Sequence, residues 1–311
     1  MATAKKTIRN KSGGKKALDT SILEESAVRE FLPYLMKGFL HVYGEENMKH
    51  IKEKMKKIII FPYNGRSEDP RGDFDRQLEI FYKKLEQIQK EPLSQKDKDE
   101  IREIFEHGII KDQLLSYMTS FQVDDKDMYA VVCLNMINDD FYARLIHEFV
   151  HAIEVNIKNG NVANGFEIPS IMQTKNAGGV LLNEYFTEKI TQDIFDYLLQ
   201  SGCPMLKNGG RESNREGSKC SSYWLPDVFM DDFYQKYKKD ISVNKLNNSY
   251  HIFIEKLGKK NINKIMKACD YIDEHFRIGM TNEECEKMYV LRDECKKIIQ
   301  NAIMQDESLH S

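Results

Sequence analysis

A chain of 311 residues with 41% hydrophobic and 31% charged residues has the balance of a globular protein with room for a sizeable core. A formal net charge of −3, with both signs spread along the chain, argues against a dedicated nucleic-acid binder. No apolar run reaches the roughly 18–20 residues that span a bilayer, and the N-terminus has no apolar signal-type stretch, so a cytoplasmic protein without a membrane span is expected.

Six cysteines occur without any C-x-x-C pair and read as free thiols of a reducing compartment. A Cys203–Cys220 disulfide would require export by an unusual route. Lys5, Lys6, Arg9, Lys11, Lys15 and Lys16, with no acid before Asp19 and few apolar residues, make residues 1–20 a disordered basic tail.

Thr20 or Ser21 can cap a first helix carrying Val28, Phe31, Leu35, Phe39 and Val42, with a disturbance expected at Pro33 and an end at Gly44. A Lys-rich helix follows from Glu45. Ile58-Ile59-Ile60-Phe61 is a short β-prone run closed by Pro62 and Asn64-Gly65. Helical spacing returns over 73–90 and again from Lys96 to Tyr117. Residues 128–137 are the best strand candidate, and Asn138-Asp139-Asp140 supplies capping chemistry for a helix from Phe141 to Asn156. Residues 157–180, rich in Gly and Asn, read as a long loop. A helix over Leu181–Leu199, a polar stretch over 201–222 and a helical remainder over 226–305 complete the chain.

On the helix after the strand stands His147-Glu148-Phe149-Val150-His151. Two histidines four apart lie one turn apart on one helical face, so both imidazoles can reach a single metal ion. Glu148 projects close by, where a carboxylate can take a proton from water. The next helix opens Leu181-Leu182-Asn183-Glu184-Tyr185-Phe186-Thr187-Glu188. Glu184 and Glu188 are again one turn apart, and helical geometry lets either one face the histidines. Three protein ligands that leave a position open are the pattern of a catalytic rather than a structural zinc.

An H-E-x-x-H helix followed some tens of residues later by Asn-Glu-x-x-(Ser/Thr)-(Asp/Glu) resembles the gluzincin metallopeptidases, the thermolysin-like clan. The resemblance covers about residues 128–199. It implies one zinc per chain held by His147, His151 and Glu184, with Glu188 orienting a ligating imidazole and Asn183 adding a hydrogen bond. It also implies an α+β, predominantly α fold whose zincin-like core has an edge strand at 129–135, an active-site helix and a second ligand helix. Helical regions over 21–125 and 206–311 would flank a catalytic core at 126–205. Other H-E-x-x-H classes fit less well. The metzincin extension needs Gly at 154 and His at 157, where Glu154 and Ile157 stand, and the cysteine motif of deformylase-like sites is absent.

The reaction implied is hydrolysis of a peptide or protein substrate by a zinc-activated water, with Glu148 as general base and the substrate paired along the strand edge. Tyr250 and His251 are candidates for stabilising the transition state, as are His275 and Arg277. A zincin-derived zinc-binding or regulatory protein without turnover is the alternative.

Overall fold

The structure, a computed structural model, describes residues 26–63, 68–111, 116–122, 128–135, 141–158, 161–166, 179–206, 224–276 and 280–310. The basic tail, the proposed caps Thr20, Ser21 and Asn138–Asp140, most of the 157–180 and 201–222 segments, Cys220 and Arg277 lie outside them.

The architecture is α+β and predominantly helical, with a small mixed sheet. Helix α1 (Ser26–Tyr43) runs unbroken through Pro33. Proline inside a helix costs about 3 kcal/mol. Val28, Phe31, Leu35 and Phe39 are fully buried along one face of α1, and burial of each contributes about 1.5–3 kcal/mol, so packing wins. Helix α2 (Glu45–Met55) leads into strand β1 (Ile58–Tyr63). Helix α3 (Pro70–Gln89) starts three residues before its apolar periodicity, because Asp69 caps it from Gly72 N at 3.0 Å and Pro70 supplies a preset first turn.

After helix α4 (Gln95–Phe105) the chain makes a π-helical turn and then a strand, β2 (Ser116–Gln122), where helical spacing had suggested continuation to Tyr117. Strand β3 (Met128–Asn135) lies between the other two, parallel to β1 and antiparallel to β2. It is therefore the central strand and not the edge strand expected from the resemblance. Its burial explains its unbroken apolar run. Ala130, Val132 and Leu134 face one hydrophobic cluster, and Tyr129, Val131 and Cys133 face another. Pro62 is tolerated because β1 is an edge.

Helix α5 (Phe141–Glu154) packs on the first of these faces and ends two residues earlier than expected, at strand β4 (Val155–Lys158). Strand β5 (Asn161–Asn164) pairs antiparallel with β4. Composition alone reads residues 157–180 as loop, yet Asn159-Gly160 between two short runs is a hairpin signal. Helix α6 (Val180–Gln200) then packs on both α5 and α1. The helical remainder comprises α7 (Trp224–Leu246), α8 (His251–Leu257), α9 (Lys259–His275) and α10 (Asn282–His310).

One continuous hydrophobic cluster draws side chains from α1, the sheet, α5, α6 and the C-terminal helices, while α3 and α4 cover the opposite sheet face with Phe74, Phe81 and Phe105. Among the described residues no helix is long and apolar enough to cross a membrane. Cys133, Cys203, Cys269, Cys285 and Cys295 are free thiols.

Candidate metal centre

Helix α5 is held by a buried stripe of Leu145, Ile146, Phe149, Ala152 and Ile153, which aims His147 and His151 at α6. Facing them, Asn183, Glu184 and Thr187 are buried on the first turns of α6. The start of that helix is set by Gly179 at φ +83°, whose amide is held by Asp270 Oδ1 at 2.8 Å. A side chain at Gly179 would press on the Phe166 carbonyl 2.9 Å away.

The three donor atoms form a near-equilateral triangle. His151 Nε2 is 3.2 Å from His147 Nε2 and 3.2 Å from Glu184 Oε2, and His147 Nε2 is 3.4 Å from the same oxygen. A tetrahedral ion with ligands about 2.0–2.1 Å away sets them about 3.3–3.4 Å apart. The spacing is that of one face of such a tetrahedron, and these three residues can hold a metal ion. The donor set fits as well as the spacing. Three lone-pair atoms converge on one point, where only a cation or a shared proton relieves their repulsion. The other oxygen, Glu184 Oε1, is buried and finds no hydrogen-bond partner among the described residues, as is also true of His151 Nδ1.

The electrostatics are those of a coupled cluster. Burial resists charge on His147, but its contacts with Glu184 and Glu188 outweigh this and raise its pKa well above the usual imidazole range. Burial likewise resists charge on Glu184, and the two histidines outweigh it, holding the carboxyl well below its ordinary value. His151, which is almost fully buried, is pushed down to about 4 by desolvation, which keeps its imidazole neutral and available as a donor.

Glu188 Oε2 stands 3.3 Å from His147 Nδ1, the ring nitrogen opposite the donor atom. Asn183 Oδ1 accepts from Phe166 N at 2.9 Å and ties α6 to the end of the β4–β5 hairpin. Glu148 is buried beside the triad, and its Oε1 accepts from Ser116 Oγ at 2.9 Å. Burial pushes its carboxyl up to about 7. Tyr250 donates its hydroxyl to the Phe166 carbonyl. His251 points away: its side chain is 78% exposed and its Nε2 faces Glu255 at 3.7 Å, one turn along α8. His275 Nδ1 contacts the Tyr271 carbonyl at 2.9 Å within α9.

Three residues near the site carried no motif. Ser116 comes from β2, a strand whose alternation of Tyr117, Thr119 and Phe121 with Met118 and Ser120 was the available signal. Glu154 and Lys245 form a fully buried ion pair behind α6, and their separation of 91 residues hides it from any local pattern. Comparison of the chain with protein-family models, with curated proteins and with solved structures found no match.

Proposed function

We propose that the protein is a zinc-dependent metallopeptidase of the gluzincin type, and the observation that carries this reading is the donor triangle of His147, His151 and Glu184 with Glu148 buried at its side. Two imidazoles and a carboxylate oxygen at tetrahedral spacing suit zinc, and three protein ligands leave a fourth position for chemistry. A mixed sheet packed on the helix of the two histidines, with the glutamate helix against it, supports a zincin-like core.

A zinc ion held there would supply Lewis acidity to a water and to a scissile carbonyl. Glu148 accepts the proton of that water as its oxygen attacks the carbonyl carbon, and passes the proton to the amine as the carbon–nitrogen bond breaks. Burial raises the Glu148 carboxyl and so favours its holding the proton between the two steps. Ser116 holds the Glu148 carboxylate at 2.9 Å and Glu188 holds the His147 ring at 3.3 Å. Because β3 is central, an extended peptide pairs instead along β2, whose outer edge is unpaired among the described residues and which carries Ser116.

A zinc-binding protein without turnover is the second reading. It is favoured by one observation: the Tyr250 hydroxyl is engaged by Phe166 and His251 is exposed, which leaves neither aimed at a transition state. Metal analysis of purified protein tests the shared premise of both. About one zinc per chain, lost in His147→Ala, is expected; a chain that takes up no zinc contradicts both readings.

A further inference from the structure

We propose that Lys245 and Glu154 form a buried clamp that sets the register of the two ligand-bearing helices, making both positioning residues for the metal triad; this rests on the metal reading above. Both side chains are 0% exposed. Lys245 Nζ, reaching in from α7, donates to Glu154 Oε2 and, at 2.7 Å, to Thr187 Oγ1. Glu154 follows the ligand His151 by three residues on α5, and Thr187 follows the ligand Glu184 by three residues on α6. One ammonium therefore joins the turn behind one ligand to the turn behind the other.

The clamp is itself held on every side. Thr187 Oγ1 donates to the Asn183 carbonyl at 2.9 Å, and Tyr43 of α1 donates to Glu154 Oε1 at 3.4 Å. Asn248, just past the end of α7, donates to the Glu154 carbonyl at 2.9 Å and to the Gly165 carbonyl at 3.1 Å. Gly165, at φ +52°, lies directly over the group: a Cβ there would overlap Asn183 Oδ1 and stand 2.9 Å from Lys245 Nζ and 3.0 Å from Glu154 Oε2.

Stability alone does not account for such a pair. Desolvating two charges is costly, and apolar residues of similar volume commonly stabilise as well or better. Apolar packing, however, is non-directional, whereas the bonds from one ammonium to both helices are directional and pin their relative register. A donor triangle with edges of 3.2–3.4 Å needs that fixed register, since a small slip of α6 along α5 carries Glu184 Oε2 out of it.

The test is zinc affinity, measured by chelator competition, in the Glu154→Leu/Lys245→Met double variant beside the wild-type chain. The variant is expected to fold and yet bind zinc about 10–100-fold more weakly, the range seen when supporting contacts around ligands are lost. The cobalt-substituted form should show a changed visible spectrum. A folded double variant with wild-type zinc affinity overturns the proposal. If the double variant does not fold, Thr187→Val removes the link from Lys245 to α6 while leaving the charges paired; weaker zinc binding is expected, and unchanged affinity overturns the clamp. A wild-type chain that binds no zinc instead overturns the metal reading, and the clamp with it.

Discussion

Glu188 Oε2 lies 3.3 Å from His147 Nδ1, across the imidazole from the nitrogen that joins the donor triangle. A carboxylate in that place selects the tautomer with hydrogen on Nδ1, which leaves the Nε2 lone pair for the metal. Glu188→Ala should therefore weaken zinc binding. With Glu188 about 40% exposed, the loss should fall near the lower end of the usual range, about tenfold. Chelator competition reads this directly, and an unchanged affinity would mean that the His147 ring is oriented by packing alone.

The hydrogen bond from Ser116 to Glu148 predicts a kinetic signature. Burial raises the Glu148 carboxyl, and the Ser116 hydroxyl is among the groups that oppose that rise. Ser116→Ala should keep zinc, lower kcat about tenfold, and move the acid limb of the kcat/KM profile to higher pH. A rate loss without any movement of that limb would assign Ser116 to substrate binding.

In the metal-free protein Glu148 should cost stability in a pH window that can be named. Its folded-state pKa of about 7 lies above the ordinary value of 4.5, so the folded state favours the protonated form. Below 4.5 both folded and unfolded chains hold the proton and there is no penalty. Stability is lost as pH rises from there through about 7. Glu148→Gln should thus gain stability over the metal-stripped wild type progressively across that window and hold the gain above it. Urea midpoints at three pH values measure it, and a gain independent of pH would show that the carboxyl titrates normally.

Gly165 is predicted to admit no side chain. Its positive φ and the overlap with Asn183 and Lys245 should make Gly165→Ala cost about 2–5 kcal/mol, seen as a lowered Tm. A variant as stable as wild type would show that the hairpin end can retreat from the ion pair.

The two histidines were legible because their spacing is local: His147 and His151 share one helix, four residues apart. So do Glu184 and Glu188, but helical geometry left both carboxylates open and only the family resemblance singled out Glu184. The helices of the C-terminal half were legible from local spacing too. What escaped was set by tertiary context. Strand β2 follows a helix and a π-turn, so helical spacing ran on into Tyr117. The position of β3 in its sheet depends on β1, some 70 residues earlier, which makes it central where a motif-based reading made it an edge. Asn159-Gly160 marked the β4–β5 hairpin, but four-residue strands carry too little periodicity to stand out in a stretch rich in Gly and Asn. Lys245 resembles any surface lysine of an amphipathic helix until Glu154 and Thr187 are found around it.

Peptide-library cleavage by the zinc-loaded wild type beside Glu148→Gln decides whether the protein is the proposed zinc-dependent hydrolase with Glu148 as its base. Both proteins should carry about one zinc per chain, the wild type should cleave, and the variant should lose cleavage by orders of magnitude. A Glu148→Gln protein that cleaves as fast as wild type, or a zinc-loaded wild type that cleaves nothing in the library, would contradict that proposal.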